Sequence, residues 1–186
     1  MERNDRQLVS VEEISRAIRG DRAAVTTIVQ AYLPRVYGLC FRIAGRHELA
    51  EEATQETFVR TLRALPKLRK PESFGSWILM IAANTTKEVL RVSIMESLDE
   101  GNLPAREENQ DRGMEARKKA VEQAISVLGN DERALFLLHT VEGVSLDDLA
   151  RDQETTPAAM KSRGHRIRMK VRESAARHLE EYGEAP

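Results

Sequence analysis

The feature that most limits the fold is the segment "MESLDEGNLPAREENQDRGME", residues 95 to 115. From Glu96 to Glu115 it carries seven acids (Glu96, Asp99, Glu100, Glu107, Glu108, Asp111 and Glu115) against two arginines, with Gly101, Pro104 and Gly113 and few large apolar side chains. Such a composition buries too little surface to offset its ordering entropy, so residues 96–114 read as a flexible acidic linker. The linker divides the chain into an amino-terminal domain, residues 1–95, and a carboxy-terminal domain, residues 115–186. With 41% hydrophobic residues in a chain of 186, two small cores can be filled.

Both domains read as helical. "VEEISRAIRG" ends at Gly20, a suitable C-cap, and Asp21 is a good N-cap for the next segment. There Val25, Ile28, Val29, Tyr32, Leu33, Val36, Tyr37, Leu39, Cys40 and Ile43 recur at three- and four-residue spacing as far as Gly45. Pro34 is expected to kink that helix or split it. "HELAEEATQETFVRTLRAL" places Leu49, Ala53, Phe58, Leu62 and Leu65 on one face before Pro66. "SFGSWILMIAANTTKEVLR" follows, with Ser73 as an N-cap and Ile78, Ile81 and Ala82 as core. Beyond the linker, "MEARKKAVEQAISVLG" and "DERALFLLHTVEG" are two more helices, each closed by a glycine. No segment alternates as a strand would. The expected class is all-α: two small helical domains on an acidic tether.

Several function classes fall away. The longest apolar run, "WILMIAA", is far short of the roughly 20 residues that span a bilayer. The polar start "MERNDRQLVS" resembles no export signal, so the expectation is a cytoplasmic chain without membrane contact. Cys40 is the single cysteine and reads as a small core residue, which leaves no internal disulfide or multi-cysteine zinc site. His47, His139, His165 and His178 form no ligand or nucleophile motif, so neither enzyme activity, metal nor cofactor is expected.

The net charge of −1 argues against a nonspecific nucleic-acid coat, but its distribution is uneven. Arg60, Arg63, Lys67, Arg69 and Lys70 form one basic run without an acid. Between Thr155 and His178 seven bases (Lys161, Arg163, Arg166, Arg168, Lys170, Arg172, Arg177) face a single acid, Glu173. This second run lies in a helix-turn-helix pattern, "GVSLDDLARDQETTPAAMKSRGHRIRMKVRE". Ser145 caps a short helix from Leu146 to about Arg151, and Thr156–Pro157 opens the second helix with proline at its first position. Met160, Ile167 and Val171 pack inward at helical spacing, which turns Lys161, Ser162, His165, Arg166 and Arg168 outward. A charge run is usually a solvated face; on a capped second helix with this imbalance it points to DNA. Arg and Lys suit both guanine edges and phosphates.

"PAAMKSRGHRIRMKVRE" after "VEGVSLDDLA" resembles region 4 of the extracytoplasmic-function sigma factors, small two-domain bacterial initiation factors. "YLPRVYGLCFRIAG", "ELAEEATQETFVRTLRALPKLR" and "SFGSWILMIAANTTKEVLR" resemble their region 2, in the same order, so the likeness runs from about Asp21 to Arg177. The resemblance implies a noncatalytic alternative sigma factor that binds bacterial core RNA polymerase and promoter DNA, with an anti-sigma factor as a further partner. Region 4 would read the minus-thirty-five element through Thr156, Lys161, Ser162, Arg163, His165, Arg166 and Arg168. Region 2 would open and read the minus-ten element through Lys67, Arg69, Lys70, Trp77, Asn84, Lys87 and Arg91, since an opened strand needs cations along its backbone and an aromatic surface for its bases. For Trp77 the residues alone favour a core position. Glu52, Gln55, Glu56 and Phe58 would dock on the polymerase clamp helices, where the residues alone read as a solvated face. The acidic linker would thread the polymerase channel or serve as a plain tether. An ordinary helix-turn-helix regulator acting without polymerase, or a protein-binding helical adaptor, are the rivals; the former leaves the basic loop beside Trp77 unexplained and the latter leaves the basic helix unused.

The chain departs from the family pattern at Leu79, Met80 and Ala83, where arginines and a tyrosine are common. Fewer cations imply weaker, less salt-sensitive contact with the opened strand. It also departs at Gln153 and Glu154 in the helix-turn-helix turn, and at Gly164, which should cost about 1 kcal/mol of helix propensity.

Overall fold

The structure is a computed structural model and describes residues 7–99 and 123–181. It separates into two compact units, Met1–Glu107 and Glu108–Pro186. Both are helical, with no strand among the described residues.

The first unit contains α1 (Val11–Ile18), α2 (Arg22–Ala44), α3 (His47–Ala64) and α4 (Phe74–Asp99). The Ser10 hydroxyl accepts the amide of Glu13 to start α1, and Glu12 and Glu13 complement the positive end of the helix. Gly20, at φ 91°, turns the chain back. Asp21 then serves both helices: its carboxylate accepts the amides of Ala23 and Ala24 at 2.9 and 3.2 Å, and a 2.6 Å bond from Arg16 Nη2. The Arg16 guanidinium and these amides hold the carboxyl below its ordinary range. α2 ends at Gly45, φ 71°, whose amide donates to the Phe41 carbonyl. At the α2–α3 corner Tyr37 Oη and His47 Nδ1 lie 2.6 Å apart and the imidazole stacks on Phe41, so this histidine is structural.

Of the kink or split expected at Pro34, the split does not occur: α2 passes through Pro34 as one helix. Pro34 and Gln30, whose carbonyl loses its helical donor, are both exposed, so water can satisfy that oxygen. The buried row is Ile28, Tyr32, Val36, Leu39, Cys40 and Ile43, and Leu33, expected inside, is 45% exposed. Cys40 is fully buried, and burial pushes its thiol up, as befits an unreactive core residue.

On α3 the inward face also differs from the sequence reading. Leu49, Ala53, Phe58 and Leu65 are buried, but Leu62 is 39% exposed and Thr54, Thr57 and Thr61 lie inside instead. The hydroxyls of Thr54 and Thr57 donate to the carbonyls of Ala50 and Ala53, each at 2.6 Å. Two of the threonines thus satisfy their polar atoms within the helix and present a methyl to the core, which hydropathy spacing does not reveal.

α2, α3 and α4 pack against one another, and α1 lies on α2. At their centre Tyr32 and Phe74 meet edge to face, ring centroids 5.2 Å apart. Phe74, Ile78, Leu79, Ala82, Ala83 and Leu90 form the buried side of α4, with Ile81 only partly covered. Ser73 belongs to a short 3-10 turn, Pro71–Ser73, and α4 begins with Phe74. The helix runs to Asp99, four residues into the segment read as linker, because Leu90 and Ile94 continue the inward row at four-residue spacing. The remainder of that segment, residues 100–114, lies outside the described residues.

In the second unit residues 123–126 are helical, and the earlier part of the expected "MEARKKAVEQAISVLG" helix lies outside the described residues. α5 (Asn130–Phe136) widens into a π turn, Leu137–Val141, where Glu142 N donates to Leu137 O five residues back. Gly143, φ 75°, closes it. Arg133 is 3% exposed and donates from Nη2 to the carbonyls of Ile125 and Leu128, so a buried guanidinium holds the end of the preceding helical segment.

α6 (Leu146–Asp152) and α7 (Pro157–Glu181) make the expected helix-turn-helix. The Ser145 hydroxyl accepts the Asp148 amide at 3.0 Å, and the Thr156 hydroxyl accepts the Ala159 amide at 3.2 Å. Met160, Gly164 and Ile167 are buried and pack α7 against the unit, while Val171 is only half-buried. Glu154 occupies the turn with φ 49°, the left-handed region that favours glycine. A side chain there costs about 1–2 kcal/mol. Glu154→Gly is therefore expected to stabilise the second unit by about 1 kcal/mol after the extra entropy of an unfolded glycine is subtracted. Urea denaturation of the full chain measures it; an unchanged or lowered midpoint for that unit contradicts the strain.

Candidate nucleic-acid and polymerase interfaces

α7 rises from the turn with its buried row on one side and its cations on the other. Lys161, Ser162, His165, Arg166 and Arg168 are exposed, as the sequence requires, and Met169 and Arg172 extend the same open side. Two of the candidate residues have internal work. Arg163 is half-buried and donates from Nη1 to Gln153 Oε1 at 2.8 Å, fastening the turn to α7. Thr156 is exposed, with its hydroxyl engaged in the cap. Further along, Lys170 Nζ lies 2.6 Å from Glu132 Oε1 and ties α7 to α5, so one base of the run counts toward packing. A Cβ at Gly164 would sit 3.6 Å from Leu146 Cδ2, an ordinary contact, so the two helices approach closely there without requiring glycine.

The second basic surface lies between α3 and α4. A 3-10 turn, Leu65–Lys67, and the Pro71–Ser73 turn bracket a loop from which Lys67, Arg69 and Lys70 project into solvent. These three make no ion pair among the described residues. Immediately after the loop Trp77 is half-buried, its ring tilted 55° to Phe74 at 5.8 Å. Helical spacing sets Trp77, Met80, Asn84, Lys87, Glu88 and Arg91 along one side of α4. Asn84 and Lys87 are partly exposed and engaged with neighbours, and Arg91 is exposed. Leu79 and Ala83 are 0% and 1% exposed. Two of the positions that depart from the family pattern therefore build the core here and do not thin out the open face; only Met80 lies on it.

Glu52 and Gln55 are exposed on α3, as expected for a docking face. Phe58 is not part of it: the ring is 9% exposed and belongs to the core. Glu56 is paired with Arg60 at 2.7 Å, and Arg60 reaches across to Glu88 on α4 at 2.6 Å. The two carboxylates raise the Arg60 pKa above its ordinary value. Arg60, counted in the basic run of the sequence, thus joins α3 to α4. Val59 and Leu62, each 39% exposed, recur with Glu52 and Gln55 on the same side of α3 and form an exposed apolar pair there. The spacing 52, 55, 59, 62 was available in the sequence, but Leu62 fitted the core row equally well.

No cluster of metal-ligating side chains occurs among the described residues, and no helix among them is long and apolar enough to cross a membrane.

Two family patterns match the chain in the order of its two units: Sigma-70 region 2 over residues 28–93, and Sigma-70 region 4 over residues 118–171. The chain belongs to the sigma-70 family. Its relatives place it in the extracytoplasmic-function group: it is 30% identical over 172 residues to ECF RNA polymerase sigma factor SigE of Mycolicibacterium smegmatis, covering 87% of this chain and 66% of that one. It is 27% identical over 176 residues to the ECF RNA polymerase sigma-E factor of Haemophilus influenzae, covering 87% and 93%. The fold is shared with the sigma factor RpoE solved with the anti-sigma factor NepR from Bartonella quintana, at TM-score 0.67 and 19% identity over 80% of this chain and 94% of that one. It is shared also with CnrH, solved with the cytosolic domain of CnrY, at TM-score 0.63 and 17% identity over 87% and 93%. This is an alternative sigma factor of the sigma-70 family. An ordinary helix-turn-helix regulator acting without polymerase would not carry region 2.

At the start of α7 the sigma factor uses Thr156 as a cap, which side-chain substitution isolates. Thr156→Ala should destabilise the second unit by about 1 kcal/mol while Thr156→Ser, which keeps the cap, stays within a few tenths. Urea midpoints of the two variants measure the difference; equal midpoints contradict a capping role.

Proposed function

We propose that the unit matched to region 2 docks on core RNA polymerase through α3 and opens the minus-ten element, and that the unit matched to region 4 reads the minus-thirty-five element through α7. The observation that carries this reading is the capped helix-turn-helix whose buried row, Met160, Gly164 and Ile167, leaves Lys161, Ser162, His165, Arg166 and Arg168 on the open side. A recognition helix set in this way can place arginine and lysine against base edges and phosphates of a major groove.

The division of labour follows the chemistry of the two surfaces. Duplex reading needs a protruding helix, which α7 supplies. Opening a strand needs cations for its phosphates and an aromatic surface for an unstacked base, which Lys67, Arg69, Lys70 and the exposed part of Trp77 supply. Asn84, Lys87 and Arg91 lie further along the same side of α4 and would continue the contact. Glu52 and Gln55, with Val59 and Leu62, form the surface offered to polymerase. In this reading residues 1–95 and 115–186 work on separate parts of one promoter, the acidic segment from residue 96 tethers them, and polymerase performs the chemistry in the cytoplasm. An anti-sigma partner, as in the RpoE–NepR complex, would hold the factor inactive.

Purified protein added to sigma-free core polymerase should form a complex and yield promoter-dependent transcripts; failure of both sinks the assignment of these roles. Arg166→Ala should weaken binding to minus-thirty-five duplex by about tenfold and lower the slope of log affinity against log salt by about 1, with core binding unchanged. Titrations at several salt concentrations read both effects, and equal loss of core binding would place Arg166 in folding instead. Asn84→Ala should reduce promoter opening with normal core binding; unaltered permanganate reactivity of the minus-ten thymines would remove Asn84 from the strand-reading side.

A further inference from the structure

We propose that the segment from Gln7 through α1 is a brace that positions the strand-reading loop, with Gln7 as its positioning residue. The proposal rests on the reading of that loop given above and assigns its geometry to a part of the chain outside the Sigma-70 region 2 match, which begins at residue 28.

The loop between α3 and α4 has short-range backbone bonds of its own: Leu68 N donates to Leu65 O and Ser73 N to Lys70 O, each at 3.0 Å, and Phe74 N donates to Pro71 O. Bonds of that reach shape the two turns and join the second to the first residue of α4, but none of them ties the loop to an element distant in sequence. The long-range contacts come from the amino-terminal side. α1 packs on both 3-10 turns as well as on α2, and it is anchored there by Ile14 and Ala17, 0% and 4% exposed. Just before it, Gln7 Nε2 donates to the Pro71 carbonyl at 3.3 Å across 64 residues of sequence.

The next residue holds the other side of the same structure. Leu8 N donates to Tyr32 Oη at 3.2 Å, and the Tyr32 ring meets the edge of Phe74, which in turn carries Trp77. Consecutive residues thus grip the loop that presents Lys67, Arg69 and Lys70 and the aromatic floor beneath Trp77. Cations on a loop free to swing would bind phosphate without holding a base to the aromatic surface; the brace keeps the two in one register. The geometric demand is that of any preorganised site, where the supporting contacts set the precision of the working groups.

Gln7 is partly exposed and its bond is neutral, so Gln7→Ala can remove the grip without disturbing the buried core. In the full chain, hydrogen exchange at the Leu68 and Ser73 amides should then rise about fivefold, the change worth one neutral hydrogen bond. In the complex of the full chain with core polymerase, the rate of minus-ten opening should fall by about the same factor. Core affinity and minus-thirty-five duplex affinity should not move, a split that general destabilisation would not produce. Tyr32→Phe, which keeps the ring and loses the hydroxyl, should act in the same direction. Lys70→Ala serves as the control for the loop itself. Unchanged exchange in both brace variants overturns the proposal. So does faster exchange with unaltered opening, while Lys70→Ala still slows opening; in that case the loop reads the strand without the brace. If Lys70→Ala also leaves opening unaltered, the strand-reading role of the loop fails with the proposal, and the two failures are told apart by this control.

Discussion

The first unit depends on the burial of Phe74 against Tyr32. Phe74 is the first residue of α4, and Tyr32 lies near the middle of α2; both rings are 0% exposed. Burying an aromatic side chain of this size contributes about 1.5–3 kcal/mol, and an edge-to-face pair adds about 0.5–1.5. The position matters more than the sum. With the start of α4 fixed beneath α2, the ten residues from Ala64 to Ser73 have both ends determined, and the cations they carry must emerge beside Trp77. The same buried tyrosine offers its hydroxyl to the amino-terminal segment, so a core contact is read at the surface.

The second unit solves a different problem, that of holding a long cationic helix upright on a small core. Its means are local. Caps at Ser145 and Thr156 satisfy helix-end amides, and the Gln153–Arg163 bond closes the turn. The Lys170–Glu132 pair steadies α7 part-way along. Both of its side chains are partly exposed, so it is worth little alone. The strain at Glu154 is tolerated in the midst of these contacts.

Much of this was legible in the sequence because glycine, proline and capping residues mark helix ends through simple backbone chemistry. Asp21, Gly45, Ser145 and the Thr156–Pro157 pair all terminate helices where they were expected to. Inward faces were less legible where polarity misleads. Thr57 is wholly buried because its hydroxyl bonds its own helix, whereas Leu62, at an equally plausible spacing, is exposed. Phe58 falls on the inward face by its spacing and is core; only the family resemblance gave it a contact role. Arg60 falls in a basic run without an acid, yet Glu56 pairs with it one turn back and Glu88, 28 residues on, reaches it from α4. Leu79 and Ala83 looked like lost cations, and their burial removes that meaning. The α7 face was read well because Met160 and Ile167 left little choice about which side is open. Arg163 escaped that logic, since half-burial and a glutamine partner are invisible to spacing.

The Arg60 bridge also alters what approaches α4 from solvent. Glu88 is the acid beside Lys87 and one turn before Arg91, on the side that carries Trp77 and Asn84. Left alone it would repel a phosphodiester at short range, where like charges are least screened by salt. With the guanidinium 2.6 Å away, that carboxylate is paired, and its negative charge on this side of α4 is offset.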